Sequence, residues 1–191
     1  MKGESLASRP SYLYSFSSSS WLTLLSRLKT DLEWHQEVLM MFGKAVCVPR
    51  KVAFLADKEC CYSYSGKDHY GVGWPDWLLE VKQEAEYVSG QEFNSVLVNW
   101  YQDGEDYMGW HADDEKILGP APVIAMLSLG VARDFLFRRK SDHSVKHSIG
   151  LENATWLIMG ASTQVLWQHS LPKRKRVKEE RISLTFRLLL G

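Results

Sequence analysis

From Phe93 onward apolar residues recur at every second position, and this alternation constrains the fold more than any other feature of the chain. Side chains two apart on an extended backbone share a face, so this period selects strands over helices. Short runs of this kind are predicted at 95–101, 123–129, 134–139, 145–151, 155–159, 165–170 and 181–189, punctuated by Gly104, Gly119-Pro120, Gly130, Gly150 and Gly160. Strands that follow one another without interposed helices imply a sandwich or jelly roll. Upstream the period lengthens. A helix is predicted at 21–29, after a Ser run that can cap it, with Trp21, Leu24, Leu25 and Leu28 on one face. A second at 74–88 opens with Pro75 and Asp76, carries Leu78, Val81, Ala85 and Val88 on one side, and stops at Gly90. The predicted class is mainly β with flanking helices, α+β.

With 191 residues, 45% of them hydrophobic, the chain suits one domain with a real core. Its eight Trp, eight Tyr and seven Phe serve either that core or a surface that stacks on rings. Basic and acidic residues balance at 23 each, so a polyanionic partner would need a local patch. Lys173, Arg174, Lys175, Arg176 and Lys178 form a candidate, read either as that patch or as a solvated loop or localisation signal. Cys47, Cys60 and Cys61 form no C-x-x-C pair, which points to a reducing compartment rather than a disulfide framework or a zinc site. No run reaches the roughly 20 apolar residues that span a bilayer, and no membrane association is expected. Residues 5–20 are Ser-rich and poor in acids, as transit peptides are, but lack a signal-peptide core.

The chemically informative stretch is Trp110-His111-Ala112-Asp113-Asp114-Glu115. On an extended segment His111 and Asp113 project to one face and can reach a single ion. A His-x-Asp pair alone is common, so a third ligand must come from elsewhere, and His169 near the end of a later strand is the natural one. Two imidazoles and one carboxylate make the facial triad of non-haem iron(II) oxygenases, which leaves open positions for a 2-oxo acid and dioxygen. His143 and His147 would chelate only on a helix; on the predicted strand their Cα atoms stand about 13 Å apart. His35 and His69 have no evident partner.

A dianionic 2-oxo acid needs a buried cation, preferably a guanidinium whose planar fork matches a carboxylate. Arg181 and Arg187 share one side of a predicted strand with Ser183 and Thr185, while Ile182, Leu184, Phe186 and Leu188 face the other way. Asn99 and Tyr101 also project together and offer an amide and a phenol to the same acid.

Asn99-x-Tyr101, His111-x-Asp113-Asp114-Glu115, Ser128-Leu-Gly130, Arg133-Asp134-Phe135, His169-Ser170-Leu171-Pro172 and Arg181-x-Ser-Leu-Thr-Phe-Arg187 together resemble the AlkB family of nucleic-acid dealkylases, in particular its duplex-DNA repair branch. Tyr14-Ser-Phe16 and Leu32-Glu-Trp34 resemble the start of that domain, so the Ser-rich opening reads as entry into the fold rather than a cleaved leader. The resemblance covers nearly the whole chain and implies a double-stranded β-helix with an N-terminal nucleotide-recognition lid. One oxygenase domain, 1–191, is expected, divided into extension and lid at 1–92 and core at 93–191. By the resemblance His111, Asp113 and His169 hold iron(II), and Arg181, Arg187, Asn99 and Tyr101 bind 2-oxoglutarate, with Ser183 and Thr185 beside them. The lid includes Met41-Phe42-Gly43-Lys44 and Tyr62-Ser-Tyr64-Ser65-Gly66. Phe42 stands where the duplex-acting branch wedges an aromatic into the base stack, although a ring in a tight hairpin also serves as a minor core residue. Two residues depart from the family pattern. Ser183 replaces the usual Asn, and Trp110 replaces a small or charged residue, so that it would narrow the pocket or stack on the base.

The implied reaction is iron-dependent oxidation of the alkyl carbon on a base nitrogen, using 2-oxoglutarate and dioxygen and releasing an aldehyde. Lesions of the 1-methyladenine and 3-methylcytosine type are cationic. Asp114 and Glu115 would favour them electrostatically while Tyr62 or Tyr64 stacks on the base and Ser65 lies beside it, unless the two acids form loop salt bridges instead. Phosphate contacts are expected from Lys44, Arg50, Arg138, Arg139, Lys140, Arg174, Lys175 and Arg176. The expected partner is alkylated DNA, single- or double-stranded, or else RNA, met by a monomer inside the cell, in the cytoplasm of a bacterium or the nucleus of a eukaryote. Rival readings keep the chemistry on RNA, protein or lipid, or make the chain a non-catalytic nucleic-acid-binding module.

Overall fold

The structure, a computed structural model, describes residues 11–15, 21–36, 38–41, 44–64 and 67–190; at 12, 39–41, 44–46, 62–64 and 67–69 it describes the backbone alone. Two antiparallel sheets face each other. The larger has six strands, in the order β1 (Tyr12–Ser15), β12 (Thr155–Met159), β9 (Ile124–Gly130), β14 (Arg181–Arg187), β7 (Ser95–Tyr101) and β4 (Lys51–Ala56). The smaller has four: β11 (Lys146–Leu151), β10 (Arg133–Arg139), β13 (Trp167–Leu171) and β8 (Met108–His111). Two hairpins stand apart, β2 (Val38–Met41) with β3 (Lys44–Cys47) and β5 (Cys61–Tyr64) with β6 (Lys67–Tyr70).

Alternation along the strands builds two cores. On β14, Ile182, Leu184 and Phe186 join Ala125, Leu127 and Leu129 of β9 and Val96 and Val98 of β7 on the outer face of the large sheet. Helices α1 (Trp21–Asp31) and α2 (Asp76–Ser89) cover that face with Leu24, Leu28, Leu78, Val81 and Ala85. The second core lies between the sheets, where Ile124, Met126, Leu157 and Met159 meet Phe135, Phe137, Trp167 and Leu171. The helices thus consume one face of the large sheet, and the other is left to carry polar side chains into the sandwich.

The main departures from the sequence reading are short elements. The run predicted at 165–170 begins as a single helical turn, α3 (Thr163–Leu166), and only then extends as β13. Strand β8 and edge strands β1 and β4 were not among the predicted runs; β1 and β4 carry residues before 93 into the large sheet. Gly104 shows why a turn glycine is needed at one point: an added Cβ would sit 1.8 Å from the carbonyl oxygen of Arg174. There the 102–107 loop locks onto the basic loop, with Gly104 N–H donating to Val177 O at 3.0 Å and Arg174 N–H to Gly104 O at 2.7 Å.

Candidate metal centre and acid pocket

Strands β8 and β13 pair so that His111 and His169 lie directly opposite one another, with ring centroids 4.2 Å apart. The chain leaves β8 after His111 and turns Asp113 inward. One ligand atom from each of His111, Asp113 and His169 falls within 4.8 Å of the other two, a separation that a single ion can bridge. His111 Nδ1 lies 2.9 Å from Gly109 O, which leaves its other ring nitrogen for a metal. Asp113 Oδ1 accepts from Arg187 Nη2 at 2.8 Å, whereas Asp113 Oδ2 is buried with no hydrogen-bond partner and lies 3.9 Å from His169 Nε2. A buried carboxylate oxygen without a donor is costly unless a cation occupies the space beside it. The donor set therefore fits an iron(II) ion.

The electrostatics prepare these ligands. Burial works against the Asp113 carboxylate, but Arg187, His169 and His111 outweigh it and hold its pKa down to about 2. Burial, reinforced by His111, pushes His169 down to about 3 despite the pull of Asp113. At neutral pH the carboxylate is charged and the imidazole neutral, so neither must lose a proton to bind metal.

Facing this centre, the inner side of the large sheet carries a polar row. Asn99 on β7, Ser183 on β14 and Ser128 on β9 are cross-strand neighbours, and Arg181 lies opposite Tyr101 and Gly130. Asn99, Tyr101, Arg181, Ser183, Thr185 and Arg187 are all buried. Arg181 Nε donates to Ser128 Oγ at 3.0 Å, and its guanidinium carbon lies 5.3 Å from the centre of the Tyr101 ring. Burial lowers its pKa to about 10, so it remains a cation at neutral pH. Among the described residues no carboxylate lies within ion-pair distance of Arg181. A buried guanidinium without a counter-ion is suited to an acidic ligand.

Several expected contacts fall elsewhere. Arg50, expected on phosphate, is 5% exposed and donates from Nε to Asn99 Oδ1 at 2.7 Å. Trp110 alternates with His111 and so turns away from the metal centre; its ring lies 4.5 Å below the Arg138 guanidinium, which also donates to Gln168. Asp114 and Lys140, expected on lesion and phosphate, form an exposed ion pair at 2.8 Å. Glu115 is half-buried before the Lys116–Leu118 turn. Arg174 is engaged by Asp134 at 2.6 Å, leaving Lys175 and Arg176 as exposed cations of that loop with no ion pair among the described residues. Arg139 is exposed, 5.8 Å from the Trp167 ring. Phe42 and Ser65 lie outside the described residues, as do the side chains of Lys44, Tyr62 and Tyr64.

Sequence reasoning missed Gln164, which is fully buried and accepts the Asp113 N–H at 2.9 Å. It also missed Arg133, whose guanidinium donates to the carbonyls of Asp103, Asp106 and Pro172 and ties the basic loop to the site. Arg133 was visible only as part of a motif, and nothing marks Gln164, because its partner is 51 positions away.

Comparison with known proteins agrees with this geometry. The pattern of the 2OG-Fe(II) oxygenase superfamily matches residues 10–187. Human "DNA oxidative demethylase ALKBH2" is 36% identical over 190 residues, covering 94% of this chain and 73% of the relative. The mouse protein of the same name is 38% identical over 177 residues, covering 87% and 74%. The solved structure of OsALKBH1 shares the fold at a TM-score of 0.69 with 15% identity, over 93% of this chain and 97% of the other. With His111, Asp113 and His169 brought together in a fold and a sequence pattern that both match, this chain belongs to the 2OG-Fe(II) oxygenase superfamily, within its AlkB family.

Proposed function

We propose that this protein repairs DNA by oxidative removal of alkyl groups from base nitrogens, with lesions of the 1-methyladenine and 3-methylcytosine type as substrates. The observation that carries the reading is the donor triad together with the buried Arg181 guanidinium, which has no ion pair among the described residues; the first calls for a metal and the second for an acid. The names of the relatives direct the chemistry to DNA.

In this reading His111, Asp113 and His169 hold iron(II), which with 2-oxoglutarate and dioxygen supplies oxidation of the alkyl carbon. Arg181 receives the distal carboxylate of the acid. Asn99, with its carbonyl oxygen occupied by Arg50, turns its amide donor to the acid, and the Tyr101 phenol adds a second contact. Ser183 and Thr185 complete the polar wall. Arg187 anchors Asp113, so the carboxylate offers one oxygen to the metal and keeps the other engaged. No side chain needs to act as nucleophile or general base.

By the family resemblance an N-terminal lid would hold the substrate, with Phe42 filling the gap in the base stack and Tyr62 or Tyr64, beside Ser65, stacking on the flipped base. Lys175, Arg176 and Arg139 contact phosphates and position the strand without reading its sequence. The protein works as a monomer in a reducing compartment, in keeping with its three free cysteines. Among the described residues no helix is long and apolar enough to cross a membrane.

The test is mass spectrometry of oligonucleotides carrying 1-methyladenine, incubated with protein, iron(II) and 2-oxoglutarate. The expected product has lost the mass of one methylene, on single-stranded or duplex DNA, and the loss vanishes with Asp113→Ala. Turnover confined to RNA, or a loss that persists in Asp113→Ala, contradicts the reading.

A further inference from the structure

Gln164 is a fully buried amide in the single turn α3, three residues before β13 begins. Its Oε1 accepts the backbone N–H of Asp113 at 2.9 Å, and its Nε2 faces the sulfur of Met159 at 3.5 Å. Thioether sulfur is a weak acceptor, so the strong partner of this side chain is Asp113. Asp113 sits beyond the end of β8, past His111–His169, the last pair of the ladder with β13. Its N–H is therefore met by a side chain from the element that leads into the strand carrying His169.

We infer that Gln164 is a positioning residue for the metal centre: by fixing the Asp113 backbone it sets where the carboxylate stands relative to His169. The inference rests on His111, Asp113 and His169 being the metal ligands. Two restraints then hold Asp113 from different directions, Arg187 on its Oδ1 and Gln164 on its main chain, and leave Oδ2 pointing at the imidazole of His169. Removal of the second restraint frees the backbone to rotate and lets Arg187 draw the carboxylate out of line. Loss of such an outer partner typically costs roughly 10- to 100-fold in metal affinity.

Three variants test this in the metal-free full-length chain, with Mn(II) and Co(II) affinity and the visible spectrum of the Co(II) complex as readouts. Gln164→Met keeps the volume and removes the acceptor; Gln164→Glu keeps an acceptor oxygen; Asp113→Ala removes the ligand itself. Gln164→Met is expected to bind both ions at least tenfold more weakly and to alter the Co(II) spectrum, while Gln164→Glu binds no more weakly than the parent. Parent-like affinity and an unchanged spectrum in Gln164→Met, with only a lower melting temperature, would make the residue a core amide and overturn the inference. If Gln164→Met fails to fold, Gln164→Glu decides: an unchanged spectrum and affinity sustain the inference, and a tenfold loss overturns it. Parent-like binding by Asp113→Ala would instead sink the metal-site reading beneath it.

Discussion

At the scale of single residues, the site separates charge by burial. Arg181 and Arg187 lie within the sandwich, yet among the described residues only Arg187 has a carboxylate partner, and that carboxylate serves as a candidate metal ligand. Arg181→Lys keeps a cation but loses the planar fork and the bond to Ser128. It is expected to raise the KM for 2-oxoglutarate at least tenfold in steady-state assays while leaving Mn(II) affinity in the absence of the acid within about twofold, a loss of roughly 1.4 kcal/mol or more. The protonation states carry a second consequence. A histidine in the unfolded chain titrates near about 6.5, whereas His169 in the fold does so at about 3. Between these values the unfolded chain binds a proton that the native site refuses, so stability is fully present above the unfolded value and drains away as pH falls through the window. Urea midpoints of the metal-free protein should drop as pH falls below about 6.5, and should drop less in His169→Gln. Equal slopes for the two proteins would refute it.

Element by element, legibility followed the number of neighbours of the same kind. The seven-residue strand β14 alternates, and its polar and apolar sets stood out in the sequence; β9, apolar on both faces, was legible as a strand without its faces being told apart. The period of β14 set its two arginines on one face, whereas His111 and Asp113 stood out through their His-x-Asp spacing, completed by the later His169. Four-residue strands such as β1 and β8 are too short to establish a period, and α3 is a single turn embedded in a β-rich run. Residues defined by a distant partner left no local trace. Arg50 looked like one more surface cation and is instead buried against Asn99, and Trp110 looked like a pocket residue and instead lies under Arg138. Gly104→Ala must push the basic loop away from the 102–107 turn. It should destabilise the fold by about 1–3 kcal/mol, read as a lower urea midpoint, and weaken DNA binding through displaced Lys175 and Arg176; unchanged stability and affinity would show that the two loops are not coupled.

For the whole molecule, the two-core arrangement explains why the site can be polar at all. Helices α1 and α2 and the outer face of the large sheet form a conventional apolar core around Phe186, Trp156 and Leu184, which lie completely buried. That core supplies stability while the space between the sheets accepts arginines, a carboxylate and an imidazole that a single-core domain of this size would exclude. Leu184→Ala is accordingly expected to cost about 2–5 kcal/mol of stability in chemical denaturation yet leave Mn(II) affinity of the folded fraction unchanged; a selective loss of metal binding would contradict the division of labour. Anomalous diffraction from crystals grown with Mn(II) and 2-oxoglutarate will show whether one metal and one acid are held together between the sheets. The expected map has a single strong manganese peak within bonding reach of His111, Asp113 and His169, with the distal carboxylate of the acid on Arg181. A peak away from those three side chains, or an acid bound elsewhere than on Arg181, would contradict it.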